Sequence, residues 1–281
     1  MERRRLPDFL VIGTMKSGTT TLFRWLEQHP QVRLPAVKEP DFFSDDVAWG
    51  RGIDWYADHF RSVPEGLHTG EASVSYTDPR WAPVAARRLH ETVPDARLVC
   101  VLRHPVERMR SHYRHEVQRG RERRDFVDAV SDVRSAYVLR SCYASALRPW
   151  VETAPPAQLH VVHFESVFAD ASEWDRLTDF LGLSRVPRPT SAHNVTADKS
   201  GFSPAMRVLW DRGLVQRLPR PPRLLRPLAR RMLLRNPDAA SALNDSARTG
   251  VPGAVMDVLH REATELEALV PALRADWDLR T

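Results

Sequence analysis

The residues best equipped for chemistry are those of the loop GTMKSGTT, residues 13–20. It sets Lys16 among Ser17, Gly18, Thr19 and Thr20, which together offer a point charge, hydroxyl donors and backbone N–H groups but no carboxylate. Such a donor set suits an anion, phosphate above all, when it stands at a helix N-terminus, where orphan N–H groups and the positive end of the helix dipole point outward. A second set lies in LRHPVERMRSHY. There Arg103 directly follows an apolar run, which delivers a bidentate phosphate clamp to the ligand edge of a sheet. Ser111 falls eight residues later, two turns along a helix that Pro105 is suited to start, so both can grip one phosphate. A third is Glu39 in KEPDFF, on a loop between Lys38 and the pair Phe42 and Phe43. A carboxylate so held can act as a general base. On spacing alone an ordinary surface Lys–Glu pair is the simpler reading.

These groups need a scaffold, and the flanking pattern supplies one. Leu10, Val11 and Ile12 predict a strand into the loop, and Leu22, Phe23, Trp25 and Leu26 predict an amphipathic helix out of it, closed before Pro30. Lys16 precedes Gly18, whereas in the nucleotide-triphosphatase loop the lysine follows the second glycine and the next Ser or Thr holds magnesium. The altered order predicts a related cradle with a different job. Arg103 also stands where a triphosphatase favours a magnesium-binding aspartate. Further strands are predicted in LHTGEASVSY, with Glu71 and Ser73 at its ligand-facing exit, over 98–102, and over 159–164. Helices are predicted over 81–92, after Pro105, after the capping residue Asp125, continuously over 137–153, from Trp174 to a stop at Gly182, and over 252–270, with Trp277 tucked back onto the body. His160 and His163 have no spacing that suggests a metal and read as structural.

At 281 residues the chain suits one α/β unit with appended helices. The expected division is a catalytic core over 1–204, an Arg-rich helical insertion or linker over 205–250, and a C-terminal helix over 251–281 on the same domain. The formal charge of +5 fits a polyanionic nucleotide, nucleic acid or an acidic membrane, and cannot choose among them. Residues 206–235 hold nine arginines and one acid, Asp211. They read as a contact to a membrane surface or anionic acceptor, or as a solvated basic helix pair. Lys199, Ser200 and Gly201 read as a basic loop able to fold over a nucleotide, or as a linker. Cys100 and Cys142 make neither a disulfide framework nor a metal cluster, and no run approaches the roughly 20 apolar residues of a membrane span. A soluble, cytoplasmic protein is expected, since removing the first apolar run as a leader would destroy the phosphate loop.

Taken together, GTMKSGTT with its helix, KEPDFF and LRHPVERMRSHY resemble the sulfotransferase family that uses 3′-phosphoadenosine 5′-phosphosulfate, in its bacterial branch, similar in pattern to heparan-sulfate-type domains. The resemblance runs from about Asp8 to Leu183. It implies an α/β, P-loop-NTPase-like three-layer fold with a central parallel sheet flanked by helices. By the same resemblance Lys16, Ser17, Gly18, Thr19 and Thr20 take the 5′ end of the donor, Arg103 and Ser111 take its 3′-phosphate, and Glu39 is the catalytic base. Lys199 and Gly201 match the C-terminal nucleotide loop only loosely. Ala72 stands where the heparan-type pattern has a lysine. The implied activity is in-line transfer of a sulfuryl group to a hydroxyl or amine of a carbohydrate, glycolipid or small metabolite, with no metal and no nucleic-acid partner. A P-loop kinase and a basic nucleic-acid- or membrane-binding module are the alternatives. The order of Lys16 and Gly18 disfavours the first, and no readable recognition helix or RNA-binding aromatic motif supports the second.

Overall fold

A run of five buried residues, FLVIG, forms the central strand β1 (Phe9–Gly13) of a four-stranded sheet. A computed structural model describes residues 4–190 and 250–273, together with Trp277 and Leu279. Strands β2 (Gly70–Ala72), β3 (Arg97–Leu102) and β4 (Leu159–His163) complete the sheet in the order β2-β1-β3-β4, all parallel. Parallel neighbours require crossover connections, and helices supply them: α1 (Thr19–Glu27), α2 (Asp46–Trp49) and α3 (Gly52–Asp58) before β2, α4 (Ala82–Thr92) before β3, and α5 (Pro105–Gln118), α6 (Phe126–Val130), α7 (Ala136–Leu139) and α8 (Tyr143–Thr153) before β4. Then come α9 (Phe164–Ala169), α10 (Ala171–Phe180) and α11 (Gly253–Leu269).

The strands are apolar on both faces because both faces are covered. Alternate residues of β1 divide between two cores, as the two-residue period of a strand requires. Leu10 and Ile12 pack with Phe42, Tyr56, Phe60, Leu89, Leu147, Trp150 and Leu266 on one side. Phe9 and Val11 pack with Leu22, Trp25, Trp174 and Leu177 on the other. The result is the three-layer α/β arrangement that the sequence implied. Removing one such side chain, as in Leu10→Ala, costs about 2–5 kcal/mol. A third cluster joins α5, α6 and α7 to α11 through Met109, Tyr113, Phe126, Val138, Val255 and Leu259. Trp277 lies 5.5 Å from the Tyr143 ring and 4.9 Å from His163, in the tucked position expected of it.

One expected element is divided. The continuous helix over 137–153 is instead α7 and α8, interrupted at 140–142. The cause lies outside the segment. Arg108, fully buried on α5, donates from Nη2 to the Tyr137 carbonyl and from Nε to Ser141 Oγ at 2.6 Å, while Ser141 Oγ also donates to that carbonyl at 3.2 Å. The carbonyl that would continue the helix is thereby taken, and Ser141 N turns to Val138 O at 2.7 Å instead. A short helix, α9, also follows β4 directly, where only the strand end at Glu165 was expected.

Candidate active site

The loop after β1 is braced from within and from β3. Thr14 donates its N–H and its hydroxyl to the Val101 carbonyl, at 2.8 and 3.1 Å, and its Oγ1 lies 2.6 Å from Ser17 Oγ. Ser17 is therefore fully buried and serves the internal brace of the loop. Lys16 and Gly18 both adopt left-handed backbone, with φ of 70° and 82°. Gly18 caps α1 without a side chain to offer the first-turn N–H groups. A Cβ on Gly18 would stand 2.7 Å from the rings of Phe164 and Phe168, so both conformation and space require glycine. Thr19 is buried and Thr20 partly exposed in that first turn.

Arg103 leaves the end of β3 toward this loop. Its Nη1 lies 3.5 Å from the carbonyl of Lys16, 87 residues away in sequence, and its guanidinium packs 4.9 Å from the centre of the Phe164 ring. Among the described residues the buried Nε of Arg103 has no hydrogen-bond partner, and the carboxylate of Glu107 is 4.0 Å from Nη2. Tyr143 donates its hydroxyl to the Arg103 carbonyl at 2.8 Å, which fixes the strand end. Ser111 sits two turns along α5 and is 5 % exposed. Burial works against the ionisation of Glu107, but Arg110, Arg103 and Arg114 outweigh it and hold the carboxyl below the ordinary carboxylate range. Burial first, then the positive charges of Arg108 and Arg140, push His112 down to about 2, so that imidazole is neutral in a cationic surrounding. Arg103, Arg108, Arg110, Arg114 and Arg140 thus set the local electrostatics around α5.

Glu39 stands at the same carboxyl edge, ion-paired with Lys38. The Lys38 carbonyl accepts from Ala72 N at 3.2 Å, and its Nζ lies 6.0 Å from the Phe23 ring of α1. Glu39 is 43 % exposed. Phe42 and Phe43 behind it are fully buried, with Phe42 stacked on Tyr56 at 4.5 Å.

Two features of this edge go beyond the sequence reading, and a third corrects it. Asp41 adopts a left-handed φ of 51°, and its carboxylate accepts from Ser75 Oγ at 2.5 Å. Burial, with Glu39 and Asp45 nearby, raises its pKa in spite of that bond. Arg140 lies beside the loop, its Nη1 2.9 Å from Met15 Sδ, while Nε and Nη2 clasp Asp78 at 2.9 and 2.7 Å. Burial opposes the charge on Asp78, but Arg80 and Arg140 prevail and bring it to about 2. Glu71 is the third, and it corrects an expectation. Instead of opening at the strand exit toward a ligand, it is fully buried, accepting from Tyr56, Tyr76 and Ser73 at 3.2, 2.6 and 2.6 Å. The two tyrosines close over β2 from α3 and from the short 3-10 helix of Val74–Thr77. Lys199 and Gly201, and the Arg-rich residues 206–235, lie outside the described residues. Among the described residues no group of three or more His, Cys, Asp or Glu side chains is gathered as metal ligands.

The chain is an α/β protein with a parallel sheet, in which a lysine-bearing loop at the carboxyl end of β1 faces an arginine at the end of the neighbouring β3. Residues 6–201 match the sulfotransferase domain model, and the chain belongs to that family. It is 36 % identical over 193 residues to human heparan sulfate glucosamine 3-O-sulfotransferase 6, covering 66 % of this chain and 54 % of that protein. It is 33 % identical over 192 residues to the mouse heparan sulfate glucosamine 3-O-sulfotransferase 3A1, covering 65 % and 47 %. The chain thus spans about half the length of these curated relatives. A sulfotransferase crystal structure from Alicyclobacillus acidocaldarius shares the fold with a TM-score of 0.67 at 23 % identity, over 97 % of this chain and 99 % of that one.

Proposed function

We propose that this chain transfers a sulfuryl group from 3′-phosphoadenosine 5′-phosphosulfate to a hydroxyl or amine of an acceptor, a carbohydrate being favoured by the names of its relatives. The observation that carries the reading is the meeting of Arg103 with the Lys16 carbonyl. It supports the reading by bringing the two sequence features to one edge of the sheet, where a donor with phosphate at both its 5′ and 3′ ends would need them. The loop N–H groups and Lys16 receive the 5′-phosphosulfate, and Arg103 with Ser111 receives the 3′-phosphate. The buried Nε of Arg103, without a partner among the described residues, suits such an anion.

In the reaction the acceptor oxygen or nitrogen forms a bond to sulfur as the bond from sulfur to the 5′-phosphate oxygen breaks. Adenosine 3′,5′-bisphosphate leaves with the electron pair. Lys16 and the α1 N-terminus stabilise the charge that develops on the departing phosphate. Glu39, exposed at the same edge, takes the acceptor's proton. The test is transfer of radiolabelled sulfuryl from the donor to heparan sulfate, glycolipids and phenols. Glu39→Gln is expected to retain bisphosphate affinity and to lose about 10²- to 10⁴-fold in kcat. Equal turnover by that variant would remove Glu39 as the base.

A further inference from the structure

Two of the backbone N–H groups following Glu39 are held by hydroxyls rather than by carbonyls. Asp41 N donates to Ser73 Oγ at 3.2 Å, and Phe43 N donates to Tyr76 Oη at a longer 3.5 Å. Each of those hydroxyls spends its own proton on the same group. Ser73 Oγ donates to Glu71 Oε2 and Tyr76 Oη to Glu71 Oε1, both at 2.6 Å. Glu71, Ser73 and Tyr76 are all fully buried, so these bonds have no water to replace them. A hydroxyl that donates to a carboxylate becomes a better acceptor, because hydrogen bonds in a chain polarise one another. Ser73 is itself tied to the sheet through its N–H to the Val11 carbonyl of β1, at 3.2 Å.

The segment they hold is under conformational demand. Asp41 sits in the left-handed region, which for a non-glycine residue persists only where its surroundings enforce it. The other end is pinned by Ala72 N on the Lys38 carbonyl. Glu39 lies between these fixed points. We propose that Glu71 is a positioning residue: through Ser73 and Tyr76 its carboxyl sets the backbone of residues 38–43 and so the place from which Glu39 reaches the acceptor. This rests on Glu39 being the base of a sulfuryl transferase. Glu71 itself touches no reactant, since Tyr56, Tyr76 and Ser73 enclose it.

The positioning role has a signature that a purely structural role lacks. If Glu71 acts through Glu39, its removal costs turnover only while Glu39 is present. Four full-length proteins, wild type, Glu71→Gln, Glu39→Gln and the double variant, are compared at pH 8 for sulfuryl transfer to heparan sulfate and for affinity toward adenosine 3′,5′-bisphosphate. Glu71→Gln is expected to lower kcat about 10- to 100-fold, the scale of a small displacement of a catalytic group, with bisphosphate affinity unchanged. In the Glu39→Gln background the same change is expected to lower kcat less than twofold. Ser73→Ala, a smaller perturbation of the same path, is expected to show the same dependence on Glu39 and guards against a Glu71 variant that fails to fold. A loss by the same factor in both backgrounds, or no loss in either, overturns the proposal. Indistinguishable kcat for wild type and Glu39→Gln, or a wild type that binds no bisphosphate, overturns instead the reading on which it rests.

Discussion

Glu71→Gln also gives the clearest test of the buried network, because the carboxyl titrates within reach of ordinary buffers. Burial lifts its pKa from 4.5 to about 7, and the hydrogen bonds from Ser73, Tyr76 and Tyr56 only partly offset that. Between those values the folded protein holds a proton that the unfolded chain has released. Stability therefore falls as pH rises through this window, by about 1.4 kcal/mol per unit and about 3 kcal/mol in all. Below it both states are protonated, and above it both are ionised, so the contribution is flat on either side. Glutamine keeps the shape of the side chain without the charge and removes the slope. Urea unfolding followed by tryptophan fluorescence at pH 5, 6, 7 and 8 measures both proteins. The wild type is expected to lose about 2.5 kcal/mol more than the variant from pH 5 to pH 8. Titrating groups uncoupled to Glu71 are common to both and cancel in the difference, whereas Asp41, whose charge acts on Glu71, contributes to it. Parallel stability curves would refute the buried, proton-retaining Glu71.

Two further substitutions test the frame around the site. Gly18→Ala places a Cβ at a φ of 82° and 2.7 Å from Phe164 and Phe168. It is expected to cost about 1–3 kcal/mol and to weaken bisphosphate binding, and an unchanged urea midpoint would contradict the loop geometry. Arg108→Lys keeps a positive charge but loses the fork that serves Ser141 Oγ and the Tyr137 carbonyl together. A loss of about 2 kcal/mol or more by denaturant titration is expected, and full stability would show that the break between α7 and α8 has another cause.

Much of this organisation is legible in the residues because it is local. The run from Leu10 to Ile12 and the helical spacing of Leu22, Trp25 and Leu26 declare strand and helix, and the loop between them follows without tertiary knowledge. Arg103 at the end of β3 is legible for the same reason, since an apolar run must end at the sheet edge. What escapes is set at a distance. The break at 140–142 depends on a guanidinium from α5, and helical propensity alone runs straight through it. The burial of Glu71 depends on Tyr56, fifteen residues earlier, and on Tyr76 in a 3-10 turn, so a carboxylate in a short strand read as a ligand group. Glu39 reads as a base only through the family resemblance, since the structure pairs it with Lys38 at the surface, and the segment over 38–43 that holds it is fixed by hydroxyls of another strand exit.

One nucleotide must reach both Lys16 and Arg103 if the proposed function holds, and calorimetric titration of wild type and Arg103→Ala with two ligands measures this directly. The wild type is expected to bind adenosine 3′,5′-bisphosphate far more tightly than adenosine 5′-monophosphate. Arg103→Ala is expected to lose about 1.5–3 kcal/mol toward the bisphosphate, the scale of a hydrogen bond to a charged group, and to bind the monophosphate as before. Equal affinity of the wild type for both nucleotides, or tighter binding of ATP with magnesium than of the bisphosphate, would contradict it.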